Sequence, residues 1–153
     1  MTLEEYCKSL PKDELFTLAI TLCEKALPIW TSYASLNKLT YTDTVVGMLH
    51  EVKSDLLDDT ISYCQSNSFE KNQLNSLLNE FTDPIVALQD SDWELPSPVE
   101  KIFYAVYNLL CGIQKPITVF DESTLYVSAN QAVNALDESG LMSFEQIRMI
   151  IYS

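Results

Sequence analysis

The sequence is poor in several of the residues that chemistry most often uses. It has one histidine, three glycines, four cysteines and nine lysines plus arginines, against 22 aspartates and glutamates. With only Gly47, Gly112 and Gly140 available, a glycine-rich phosphate loop of the Rossmann or P-loop kind cannot be built. His50 has no second histidine with which to form an HExxH zinc site, and Cys-His nucleophilic catalysis would have to recruit this same residue. Cys7, Cys23, Cys64 and Cys111 lack CxxC spacing, so buried free thiols are expected rather than disulfides or a zinc site. No apolar run approaches the about 20 residues needed to span a bilayer. The opening MTLEEYCKSLPKDELF is acidic where a secretory signal would be basic and then apolar, so a cytoplasmic protein is expected.

The shortage of basic residues leaves a formal charge of −13. A field of that sign repels nucleic acid and anionic membranes and speeds the capture of cationic proteins, although it also serves plain solubility. Hydrophobic residues make up 47% and charged residues 20% of 153 residues, which suits one globular domain. No repeat and no low-complexity tract divides the chain.

The hydrophobic period is helical almost throughout, which predicts an all-α, single-domain bundle of six to eight helices over residues 1–153. Thr2 to Glu5 is a capping-box pattern for a first short helix. Pro11, Asp13 and Glu14 favour the start of a second, with Leu15, Leu18, Ala19, Leu22, Cys23 and Ala26 on its buried face; Pro28 should kink or end it, with Ile29, Trp30 and Tyr33 continuing a further turn or two. The longest pattern runs from Tyr41 or Thr42 to about Gln65, with Val45, Met48, Leu49, Val52, Leu56 and Cys64 towards the core and His50 on its surface. A fourth helix is predicted from about Ser68 to Phe81, interrupted by Asp83-Pro84. Ser97-Pro98-Val99-Glu100 caps a central buried helix. ITVF after Pro116 reads as an extended segment without a partner, which argues against a sheet. Asp121 or Ser123 opens a helix that Gly140 ends, and Ser143 to Gln146 caps a last one.

Two acidic features stand out as candidate site residues. On the long predicted helix, Glu51, Asp55, Asp58 and Asp59 fall along one strip, where like charges oppose helix formation by a few tenths of a kcal/mol per pair and only Lys53 relieves them. The loop QDSDWELPSP sets Trp93 among Asp90, Asp92 and Glu94. By itself Trp93 fits a staple holding the loop to the core, with its acidic neighbours facing water. Together with the strip it also fits an aromatic anchor in a partner-binding surface. Mg²⁺ on the strip would make a metal-dependent helical hydrolase, but such enzymes need matching acidic pairs on a second helix, and the helix from Pro98 offers only Glu100. A solvated or partner-facing surface is the preferred reading of the strip, with no metal and no cofactor.

Residues 15–30, LFTLAITLCEKALPIW, carry Leu18-Ala19, Leu22-Cys23-Glu24 and Leu27-Pro28, a run that resembles the YjaG-like family of small bacterial helical proteins. The following VVGMLHEVKSDLLDD is similar in character to that family's second long helix, and the resemblance runs over about the first 65 residues. It implies a helical protein without an established enzymatic role, some of whose relatives are held to be encoded beside polymorphic toxins as immunity proteins. It carries over no functional residue. A nuclease toxin must be basic to hold its nucleic acid, so its inhibitor gains from carboxylates that mimic phosphates. The sequence therefore leads to a non-enzymatic immunity protein binding a basic toxin through Glu51, Asp55, Asp58, Asp59, Asp90, Asp92, Trp93 and Glu94, with a hydrolase or an acidic adaptor as alternatives.

Overall fold

Helix-start chemistry places the first elements. In the computed structural model, which describes residues 1–114 and 119–153, α1 (Leu3–Ser9) opens on Thr2, whose Oγ1 accepts from the Glu5 N–H at 3.1 Å. α2 (Lys12–Leu36) starts after Pro11 with Asp13 and Glu14 against the positive end of its dipole. It buries Leu15, Ala19, Leu22, Cys23 and Ala26 of the predicted stripe and leaves Leu18 half-buried. Pro28 does not end it. The helix continues to Leu36, because burial of Ala26 and Trp30 on either side offsets the hydrogen bond that the proline removes.

The next segment corrects the sequence reading most sharply. Residues 40–55 are not the front half of a long helix: β1 (Thr40–Thr42) and β2 (Leu49–Glu51) pair antiparallel, with Tyr41 opposite His50. Val45, Met48 and Leu49, expected in the core, are 89%, 57% and 69% exposed. The turn has its own chemistry. Asp43 Oδ1 accepts from the Val45 N–H at 2.7 Å, the Gly47 N–H donates to the Asp43 carbonyl at 2.7 Å, and Gly47 takes φ +72°, a left-handed conformation that glycine adopts without steric cost. His50 is accordingly a strand residue and not one on a helix surface.

α3 (Leu56–Ser66) begins only after this hairpin and buries Leu56, Leu57, Ile61 and Cys64. Trp30 Nε1–H donates to the Ser54 carbonyl at 2.9 Å, tying the hairpin's exit to α2. α4 (Lys71–Gln89) is capped by Glu70, whose carboxylate accepts from the N–H groups of Asn72 and Gln73. It too runs through a proline, Pro84, so the predicted break at Asp83-Pro84 does not occur. α5 (Ser97–Cys111) starts where expected, but the Ser97–Glu100 capping box does not form, because the Ser97 hydroxyl donates instead to Glu138 at 3.0 Å.

α5 ends in a short ribbon. β3 (Ile113–Gln114) pairs antiparallel with β4 (Val119–Phe120), so the second half of ITVF does find a partner, while Ile117 and Thr118 lie outside the described residues. α6 (Glu122–Ser139) runs between an Asp121 cap and Gly140 at φ +71°, and α7 (Phe144–Ile151) opens on a complete Ser143–Gln146 capping box. The described residues thus form an all-α bundle of seven helices with two minimal β ribbons. α2, α5 and α6 pack together at its centre, with α3 and α4 on α5 and with α1 and α7 against α6. Of the four free cysteines, Cys7, Cys23 and Cys64 are buried. Burial pushes the Cys7 thiol up to about 11 and that of Cys23 to about 12, so neither supplies a thiolate at neutral pH. Among the described residues, no helix is long and apolar enough to cross a membrane.

Candidate functional site

The hairpin sits on a column of rings. His50 stacks on Tyr41 at 5.0 Å between ring centroids, Tyr41 on Trp93 at 5.7 Å, and Trp93 meets Phe103 of α5 edge-on at 5.4 Å. Trp93 is only 5% exposed. Its loop is folded back on α4 by Ser91 at φ +62° and by the N–H groups of Asp92 and Trp93, both donating to the Ala87 carbonyl. Trp93 is therefore a staple of the core and does not present the exposed aromatic anchor considered from sequence. Burying its large apolar surface under Tyr41 is worth more than leaving it in water among carboxylates.

Those carboxylates nonetheless reach the hairpin. Asp92 Oδ2 accepts from Thr44 Oγ1 at 3.3 Å and from the Thr44 N–H at 3.4 Å, which joins the loop after α4 to the hairpin turn. Tyr41 feels the result: its phenol is raised above its ordinary pKa by burial, and further by the charges of Asp83, Asp43 and Asp92. A cleft of about 200 Å³ opens beside it, lined by His50, Glu51, Lys53, Glu80 and Asp83 among others. Lys53 bridges to Glu80 at 2.7 Å, and these two residues also line a neighbouring depression that includes Asp59. Asp59 is itself raised above the usual carboxylate range, first by partial burial and then by Asp55, Asp58 and Glu80.

One surface thus links Asp92, Asp43 and Asp83 around Tyr41 to Glu51, Glu80, Asp55, Asp58 and Asp59, with Lys53 as the lysine among them. The strip predicted on one helix is divided: Glu51 lies on β2, Asp55 precedes α3, and Asp58 and Asp59 fall in its first turn. Asp90 and Glu94 are exposed on either side of Asp92-Trp93. Beside this acidic surface the turn of the hairpin projects Val45 and Val46, 89% and 69% exposed, together with Met48 and Leu49.

Sequence periodicity missed these four apolar residues by assigning three of them to a helix core. The available signal was local: β-favouring Thr40-Tyr41-Thr42, an aspartate turn at Asp43 and a glycine at position 47. Asp43, Glu80 and Asp83 were missed because only folding brings them beside Tyr41. Among the described residues no group of three His, Cys, Asp or Glu side chains is placed to hold a metal ion. No known protein family, curated protein or solved structure matches the chain significantly.

Proposed function

We propose that the protein is a non-enzymatic binder that takes a basic protein partner on the hairpin face, and that this partner is a bacterial toxin which it neutralises by covering the active site or substrate-binding surface. The observation that carries the binding reading is the exposure of Val45, Val46, Met48 and Leu49 on a hairpin that itself carries Asp43 and Glu51, whose turn is hydrogen-bonded by Asp92 and beside which Asp83 lines a cleft. Contiguous apolar side chains at a turn cost solubility unless something covers them. A rim of one charge sign selects a covering surface of the opposite sign and steers its approach. Carboxylates arrayed in this way meet the lysines and arginines that a nuclease turns towards phosphates. The choice of a toxin among basic proteins rests on the family resemblance of residues 15–30 and on the −13 charge.

In this reading the apolar tip replaces Trp93 as the anchor, and the carboxylates act on encounter. Full burial of a Val, Met or Leu side chain stabilises by about 1.5–3 kcal/mol, before the cost of association is set against it. Co-purification of the tagged protein with the product of the adjacent upstream gene, eluted across a salt gradient, tests the reading. A stoichiometric complex that weakens as salt rises is expected, and no complex at low salt overturns immunity to that neighbour.

A further inference from the structure

Tyr41, the middle residue of β1, is 7% exposed, and its ring is held between those of His50 and Trp93. Its polar end has a different setting. Among the described residues the Tyr41 hydroxyl has no hydrogen-bond partner, and no fully enclosed polar side-chain atom goes unpaired, so this hydroxyl meets solvent where Tyr41 lines the cleft between the hairpin and α4. A side chain sealed in the core thus ends in a polar atom that only a group entering the cleft can pair.

The other polar groups of the cleft define what would enter. Glu51 comes from β2 and Glu80 and Asp83 from α4, against Lys53, which is already paired with Glu80 at 2.7 Å. Carboxylates in that excess favour a cation. Burial raises the Tyr41 phenol above its ordinary pKa, and Asp83 adds most among the nearby charges, yet no hydrogen bond joins the two. An ionised carboxylate only accepts and a phenol oxygen can also accept, so a group that donates in two directions fits between them. The cleft holds about 200 Å³, below the roughly 300–1,000 Å³ of small-molecule sites, which suits a single side chain. A guanidinium has five N–H donors in a planar fork and packs against aromatic rings, here those of Tyr41 and His50, whereas an ammonium is a compact point charge.

We propose that this cleft takes an arginine side chain of the partner, with the guanidinium donating to the Tyr41 hydroxyl and to Asp83. The proposal rests on the reading of the hairpin face as a surface for a basic protein, but its test needs no partner protein. The full chain is titrated with N-acetyl-arginine amide, and separately with N-acetyl-lysine amide, while its nuclear magnetic resonance spectrum is followed. Saturable shift changes centred on Tyr41, His50, Glu80 and Asp83 are expected, with the lysine probe weaker by about threefold. Tyr41→Phe should weaken the arginine probe by about fivefold, the loss of one hydrogen bond, and should leave the melting temperature unchanged, because the hydroxyl bonds no described group in the free chain. Asp83→Asn should weaken it by about fivefold as well. Shift changes that fail to saturate or spread evenly over the acidic surface, equal binding of the lysine probe, either variant binding as the native chain does, or a lowered melting temperature in Tyr41→Phe overturns the proposal. A cleft that ignores arginine leaves the hairpin face to be judged by co-purification, and a failed co-purification beside a cleft that holds the arginine probe removes the neighbour but not the site.

Discussion

Trp93 is clasped between Tyr41 and Phe103, so its removal leaves a void where the hairpin meets α5. Trp93→Ala is expected to lower global stability by about 3–5 kcal/mol in a urea titration, the usual cost of emptying an aromatic core site. Unchanged stability would mean that the ring column does not hold the hairpin. Asp59 makes the opposite kind of prediction. Its pKa is raised by partial burial and by Asp55, Asp58 and Glu80, so the folded protein holds that proton more tightly than the unfolded chain does. Between the ordinary value of 3.8 and the raised one, stability therefore falls as pH rises, and at neutral pH the charge opposes folding. Asp59→Asn should raise the melting temperature at pH 7, and the gain should vanish below the ordinary carboxylate range. A melting temperature lowered at pH 7 would contradict this assignment.

Among the elements, the hairpin depends on one backbone angle. At Gly47 a Cβ would meet no heavy atom within 4 Å, so Gly47→Ala tests conformation alone at φ +72°. It should cost about 1 kcal/mol, with amide shift changes in a nuclear magnetic resonance spectrum confined to the turn around residues 43–49. Shift changes spread over α3 or α5 would show that the turn is not an independent feature. Capped helices were legible in the sequence because caps act locally: Thr2, Asp121, Gly140 and Ser143 all sit where their side chains or φ preferences predict. The hairpin was not, since Val45, Met48, Leu49, Val52 and Leu56 match a helical period by coincidence and outweighed the Asp43 and Gly47 turn signals. Pro84 misled for a different reason, because helix continuity there is decided by packing on both sides of the proline. Five of the eight carboxylates of the acidic surface were legible as well, Asp92 through its place beside Trp93. Glu51, Asp55, Asp58 and Asp59 are close in sequence, whereas Glu80 and Asp83 join them only through the packing of α4 beside the hairpin.

At the scale of the whole molecule, the charge of −13 governs encounter at the hairpin face. Salt should weaken capture of a basic partner at the hairpin face by screening attraction. The field of the whole chain governs encounter, while the Val45 to Leu49 tip governs how long a complex lasts, so the two contributions separate kinetically. Charge reversal at Asp55 and Asp59 should slow association and flatten its salt dependence, and Val46→Ser with Leu49→Ser should speed dissociation without unfolding, because both side chains are 69% exposed. The most direct measurement is therefore the binding kinetics of the native chain and these two variants against the product of the adjacent upstream gene. The account predicts a slower association rate for the charge variant and a faster dissociation rate for the tip variant, each change confined to its own rate. A complex that forms and persists equally well with both variants would place the partner elsewhere on the molecule and contradict the hairpin face as the binding site.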